Sequence, residues 1–182
     1  MSTLYVNSIG EKTSGNKITL NNTLKVDSIE PKTVNSAVLM PNKPAFLAHR
    51  LASGIQSLSA QTQTLVQFNE TDYNVGSHYN TSTYTFTCPV TGLYQFDHWC
   101  YVYNATQTNT RLFINGVSKY RFSSVQVDTT NNPHGAGCGI SLLLNANDTV
   151  KLYVWANENS NLYAGDASVS ERSSFFSGFL VG

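Results

Sequence analysis

The chain has 182 residues, with 11 lysines and arginines against 11 aspartates and glutamates, a formal net charge of +0 and only 12% charged residues. That balance offers no basic stripe for a phosphate backbone, which argues against a nucleic-acid partner. No apolar run reaches the roughly 20 residues that a membrane-spanning helix needs, and solubility falls to Ser, Thr and Asn.

The chain opens on a repeat. Leu4-Tyr5-Val6-Asn7-Ser8-Ile9 returns 20 residues later as Leu24-Lys25-Val26-Asp27-Ser28-Ile29, and Lys12-Thr13 returns as Lys32-Thr33. Each copy reads as strand, polar turn, strand. Neither can bury a face alone, so the segment is expected to lean on copies of itself or on a docking partner. The anchoring residues would be Leu4, Val6, Ile9, Leu24, Val26 and Ile29. Met1 to Val6 shows neither the positive region nor the apolar core of a secretory signal, so synthesis in a cytosol is expected. Pro41-Asn42-Lys43-Pro44 reads as a short semi-rigid linker. It divides a β-repeat module, Met1–Lys43, from a larger domain, Pro44–Gly182.

Short strand signals fill the larger domain. Leu65–Phe68 is an apolar run, Glu70 and Asp72 read as part of a polar turn, and Tyr84–Thr87 alternates at the strand period. Leu93–Asn104 is a long strand. Arg111–Ile114 and Val117–Phe122 flank Asn115-Gly116, a pair that favours a two-residue type I′ turn because both residues tolerate positive φ. Gly135–Gly139 reads as a tight loop feeding a strand at Ile140–Leu144, and Thr149–Ala156 and Phe175–Val181 follow as strands. No segment has helical apolar spacing with caps. Many short strands separated by turn signals predict an all-β sandwich or jelly roll.

Two strands are apolar on both faces. Leu93–Asn104 carries Leu93, Trp99, Tyr101 and Tyr103 on one side and Tyr94, Phe96, Cys100 and Val102 on the other. Lys151–Ala156 carries Tyr153 and Trp155 opposite Leu152, Val154 and Ala156. A sheet with one wet face should alternate apolar and polar, so the second face is expected to be covered. A neighbouring subunit is the simplest cover, since aromatic residues bury large areas at interfaces. A loop of the same chain is the alternative. Trp99, Tyr101, Tyr103, Tyr153 and Trp155 are therefore the expected oligomer contacts.

Catalytic signals are missing. Asp97 and His98 would point to opposite faces of one strand, Asp148 and Asp166 stand alone, and there is no nucleophile elbow, zinc-protease motif or phosphate loop. The four histidines, His49, His78, His98 and His134, read as loop or packing residues. Cys88, Cys100 and Cys138 lack metal-site spacing and read as buried thiols, with a Cys88–Cys100 bridge the alternative.

Phe68, Asn74, Tyr79, Phe86, Gly92, Tyr94 and Phe96, with Ser177-Gly178-Phe179-Leu180 at the end, resemble the signature of the C1q-like domain from about Pro44 to Gly182. One position departs: the family places a further Phe or Tyr where this chain has His98. The resemblance implies a ten-strand-type jelly roll of C1q/TNF kind that trimerises about an aromatic-rich axis. It implies no enzyme and no cofactor. Some members bind calcium near the axis after a Leu-Tyr-Ala motif, and Leu162-Tyr163-Ala164 makes Asp166 the matching residue. One carboxylate per subunit could serve calcium only at a three-fold axis.

The Leu-x-Val-Asn/Asp-x-Ile openings also resemble the N-termini of virion-surface proteins of tailed bacteriophages, marine and cyanobacterial ones in particular. That implies a structural protein made in the host cytoplasm and placed on the virion surface. Its N-terminal module would bind other virion proteins, and its head would serve as a short tail-fibre tip for host recognition or as a capsid decoration. A cellular C1q-like glycan-binding lectin or adhesin is the other reading. The polar stretches Gln126–Gly137 and Asn157–Asp166 are the expected contacts for a host protein or glycan.

Overall fold

In the computed structural model of the chain, residues 43–50, 54–126, 134–165 and 172–181 are described. Contacts separate Met1–Met40 from Pro41–Gly182. The anchor residues Leu4 to Ile29 and the calcium candidate Asp166 lie outside the described residues.

The described residues form thirteen strands and no helix. In chain order they are β1 (Ala45–His49), β2 (Ile55–Leu58), β3 (Gln63–Leu65), β4 (Glu70–Val75), β5 (Tyr79–Asn80), β6 (Thr85–Thr87) and β7 (Gly92–Tyr103). They continue with β8 (Gln107–Ile114), β9 (Val117–Gln126), β10 (His134–Leu144), β11 (Thr149–Ala156), β12 (Ser160–Tyr163) and β13 (Phe175–Leu180). All pairings are antiparallel. The first sheet runs β2-β12-β7-β13-β1-β4, with β10 also on β7; the second runs β5-β6-β11-β8-β9, with β3 also on β11.

The register shows how the first sheet is laid out. Along one edge of β7, β13 covers Tyr94–Trp99 and β12 covers Tyr101–Tyr103. These two strands therefore lie end to end, and β1 and β2 do the same beyond them. The other edge of β7 belongs to β10. Several jelly-roll strands are thus split into collinear pieces.

The buried signature aromatics make the core, but Phe179, also expected there, is 45% exposed because it lies on the outward face of β13. Phe68, Tyr79, Phe86, Tyr94 and Phe96 are buried and pack around Phe46 and Phe176, with Phe46 stacked on Tyr79 at 4.8 Å and on Phe86 at 5.0 Å. Emptying such a site costs about 3–5 kcal/mol. Asn74 has a different role. Its Nδ2 donates to the Tyr79 carbonyl at 2.7 Å, and its Oδ1 accepts from the Tyr79 amide at 3.1 Å. It thereby clamps the turn through Gly76 and Ser77, both at positive φ. Gly178 lies against the Phe96 and Phe46 rings, which leave no room for a Cβ.

The expected hairpin is present: Asn115 and Gly116 have φ of 52° and 77° and join β8 to β9. Three expectations are corrected. Gly135–Gly139 is not a loop but the first half of β10, paired with Tyr101 to Asp97. Glu70 and Asp72 sit not in a turn but in β4, the outermost strand beside β1. Cys138 is exposed on β10, whereas Cys88 and Cys100 are buried, and all three thiols are free.

Candidate interaction faces

The sandwich has two outward faces, and the expected oligomer contacts are divided between them. Trp99, Tyr101 and Tyr103 lie on β7 in the first sheet. Tyr153 and Trp155 lie on β11 in the second. One planar contact cannot use both sets.

On the first face, cross-strand register builds an apolar surface. Leu143 stands beside Leu93, Trp99 lies between Gly137 and Phe175, and Phe179 faces Gln95. Leu143 is 77% exposed, and Tyr73, Phe179, Trp99 and Leu93 are each between 39% and 47% exposed. The glycines of β10 explain the placement of Trp99: a Cβ at Gly135 or Gly137 would collide with its indole. The ring thus lies over bare β10 backbone, a role that composition alone could not disclose. Tyr163 packs edge-on to Tyr101 at 6.3 Å and at 5.9 Å to Tyr103, so these rings are partly covered within the chain. Beside Trp99, Tyr101 and Phe175, Arg172 and Ser173 complete a surface groove of about 390 Å³.

A carboxylate network borders this face. Asp72 lies 2.8 Å from Arg172 Nη2 and 3.2 Å from His49 Nε2, and Glu70 lies 4.0 Å from His49 Nδ1. Asp72 is thus committed to structural partners. No group of three or more His, Cys, Asp or Glu side chains suited to a metal occurs among the described residues.

The second face is aromatic but self-covered. The Phe113 and Tyr153 rings pack at 4.1 Å with a 33° tilt, Tyr153 is registered with Arg111, and Lys151 with Phe113. Tyr153, Trp155 and Phe113 are all half-buried within one chain.

Between the two sheets, at the β9–β10 edge, a groove of about 470 Å³ is lined by residues including Ile114, Lys119, Tyr120, Leu142 and Leu143. Behind that edge two histidines cross from sheet to sheet. His98 Nε2 meets Thr110 Oγ1 at 2.7 Å, and His134 Nε2 meets Thr108 Oγ1 at 3.0 Å. Burial holds the His98 imidazole neutral, its pKa lowered to about 4. His98 packs on Phe122 at 4.9 Å, so the one departure from the signature is still a core position. Burial raises the pKa of Cys88 and Cys100, which keeps both as thiols of low reactivity.

The two ends of the sandwich differ in make-up. Pro44 accepts from the Leu180 amide and Lys43 Nζ donates to the Val181 carbonyl, so the domain starts and finishes at one end. The far end is a hydrogen-bonded polar cap. Gln107 N donates to Asn157 Oδ1 at 2.8 Å, Asn157 Nδ2 to Thr106 Oγ1 at 2.7 Å, and Thr106 Oγ1 to Glu158 Oε1 at 2.8 Å. Of the stretches expected to contact a host, Asn157–Asn159 is a loop of this cap. His134–Gly137 and Ser160–Tyr163 are strand, and residues 127–133 lie outside the described residues.

Two antiparallel sheets with this strand order define a jelly roll of C1q/TNF type. A family model described as "C1q domain" matches residues 45–181, and the chain belongs to that family. Trimers are typical of it. Over 130 residues the chain is 29% identical to Complement C1q tumor necrosis factor-related protein 7 of Mus musculus, covering 70% of this chain and 42% of that protein. Over 118 residues it is 31% identical to Complement C1q tumor necrosis factor-related protein 2 of Homo sapiens, covering 64% and 38%. The chain thus spans less than half the length of these curated relatives. Among solved structures, the globular domain of zebrafish Complement 1qA protein superposes with a TM-score of 0.59 at 24% identity, covering 77% of this chain and 98% of that one. Eiger TNF from S. frugiperda gives 0.61 at 14% identity, covering 78% and 94%. At these identities the two structures speak for the fold.

Proposed function

We propose that the chain is a non-enzymatic, homotrimeric C1q-like display head. The observation that carries this reading is the exposed first face, where Leu93, Trp99, Phe179 and Leu143 form a surface that water disfavours. The β9–β10 edge, with Tyr120 40% and Val117 54% exposed, is a second apolar patch of different composition that meets the first at Leu143. Two unlike patches on one chain join head to tail, and such contacts close into a ring when the rotation allows. In this arrangement the edge of each copy covers the first face of the next. Tyr153 and Trp155 stay on the outside.

The finer reading places the trimer on the surface of a tailed-bacteriophage particle after synthesis in the host cytoplasm. Met1–Lys43 would bind the particle and the far polar end would point outward, as a tail-fibre tip or a capsid decoration. The Leu4–Ile9 and Leu24–Ile29 repeat supports it. The competing reading, a cellular C1q-like lectin or adhesin, draws on the animal origin of the curated relatives. Quantitative mass spectrometry of purified particles against the major capsid protein tests the choice. A few trimers per particle favour a tail tip, and near-capsid abundance favours decoration. Absence from particles overturns the phage reading and leaves the lectin.

A further inference from the structure

The first face carries a carboxylate in the middle of its apolar surface. Along β7, Leu93, Gln95, Asp97, Trp99 and Tyr101 alternate outward, while Tyr94, Phe96, His98 and Cys100 are buried. Asp97 is half-buried and stands opposite Gly139, where a Cβ would strike the carboxylate oxygen, so the glycine makes its room. Its Oδ1 accepts from Gln95 Nε2 at 3.0 Å, and Gln95 Oε1 accepts from Ser141 Oγ. Those partners are neutral. Among the described residues the ion pairs belong to His49, Glu70, Asp72 and Arg172, so Asp97 has no cation beside it. Covering this face takes the carboxylate out of water, at a cost that the neighbouring leucines do not share. A copy that seats here must bring a counter-charge.

The β9–β10 edge holds one. Lys119 lines its groove with Tyr120, Ser141 and Leu143. It is exposed and, among the described residues, has no carboxylate at ion-pair distance. The β8–β9 register pairs Leu112 with Tyr120 and Phe113 with Ser118, which leaves Lys119 as the extra residue of a bulge. Bulges re-aim side chains at sheet edges. The other charges nearby are placed differently. Asp148, on the same groove, accepts from Asn115 Nδ2 and the Asn145 amide. Arg121 is registered with Arg111, which puts it on the second face.

We infer that Lys119 of each copy pairs with Asp97 of the next copy at the centre of the head-to-tail contact. The inference deepens the display-head reading and rests on its ring of three. The apolar side chains supply the contact area, and the charge pair fixes how the two patches register. A copy that slid along the face would bury the carboxylate and the ammonium apart from each other. Gln95 and Ser141 hold the carboxylate in position, and Ser141 belongs to both patches.

The test is sedimentation equilibrium of the 182-residue chain over a range of concentrations. Asp97→Lys and Lys119→Glu should each raise the concentration needed for half-assembly by roughly tenfold or more, with unchanged β-sheet circular dichroism. The double variant should recover most of that loss. Mixing the two single variants should also assemble better than either alone, although a ring of three keeps one like-charged pair. If Asp97→Lys unfolds the chain, Asp97→Asn carries the test, because it keeps the Gln95 bond. It should then weaken assembly, and Lys119→Gln added to it should cost less than Lys119→Gln alone. Single variants that assemble like the unmodified chain, or a double variant no better than the worse single one, would overturn the pair. Trimers indifferent to every substitution leave the ring standing without it. An unmodified chain that stays monomeric contradicts the ring itself.

Discussion

The two outward faces of this sandwich both carry aromatic rings and meet water in opposite ways. On the second face Phe113 and Tyr153 pack against each other among Arg111 and Lys151, so a single chain covers its own rings. On the first, Trp99 lies across a lane of glycines, and Leu93, Phe179 and Leu143 are left open. Under the proposed assembly, what separates the interface from a decorated surface is not aromatic content. It is whether the neighbouring positions on the same strands supply cover. Long cationic side chains can cover apolar surface with their stems, and glycines cannot.

Four experiments break or sharpen that contrast. The largest effect is expected from Trp99→Asp or Leu143→Asp. A carboxylate buried without a partner at a subunit contact costs roughly 3–5 kcal/mol, so each variant should run as a folded monomer by sedimentation, with unchanged β-sheet circular dichroism. Next comes acid. The unfolded His98 imidazole binds its proton near the ordinary value of 6.5, and the folded one only near pH 4. Between those values the unfolded state holds more protons, so stability rises with pH across that window and the loss is complete below about 4. The size is on the order of 3 kcal/mol, read as denaturation midpoints from pH 4 to 7. His98→Phe should remove most of that dependence.

Gly137→Ala should follow, because its new Cβ meets the Trp99 ring and the His98 carbonyl. Overpacking of this kind costs about 1–3 kcal/mol, and here it should also loosen the assembly by moving Trp99. The smallest effect is expected from Tyr153→Ser. Losing its contact with Phe113 should cost about 1 kcal/mol of thermal stability and leave the molar mass unchanged. A Tyr153→Ser monomer would move the interface to the second face.

The core was legible in the sequence because strand alternation puts Phe86, Tyr94 and Phe96 on one side of their strands, and a jelly roll buries that side. The hairpin at Asn115-Gly116 was legible because positive φ at two successive residues is a local demand. Long-range causes were hidden. Gly135 to Gly139 looked like a loop because glycine is a weak strand former. Its reason is Trp99, a ring on another strand. Glu70 and Asp72 looked like a turn because β4 is a wet outer strand, and their partners His49 and Arg172 are distant in sequence. Both aromatic strands announced a covered second face, but alternation is identical in either sheet, so it could not say that Trp99 and Tyr153 point in opposite directions.

The most direct test of the assembly is the molar mass of this 182-residue chain by sedimentation equilibrium at micromolar concentration. A closed ring of three 20.0 kDa chains predicts a single species of about 60 kDa. A stable 20.0 kDa species, with Trp99 and Leu143 open to water, would contradict it.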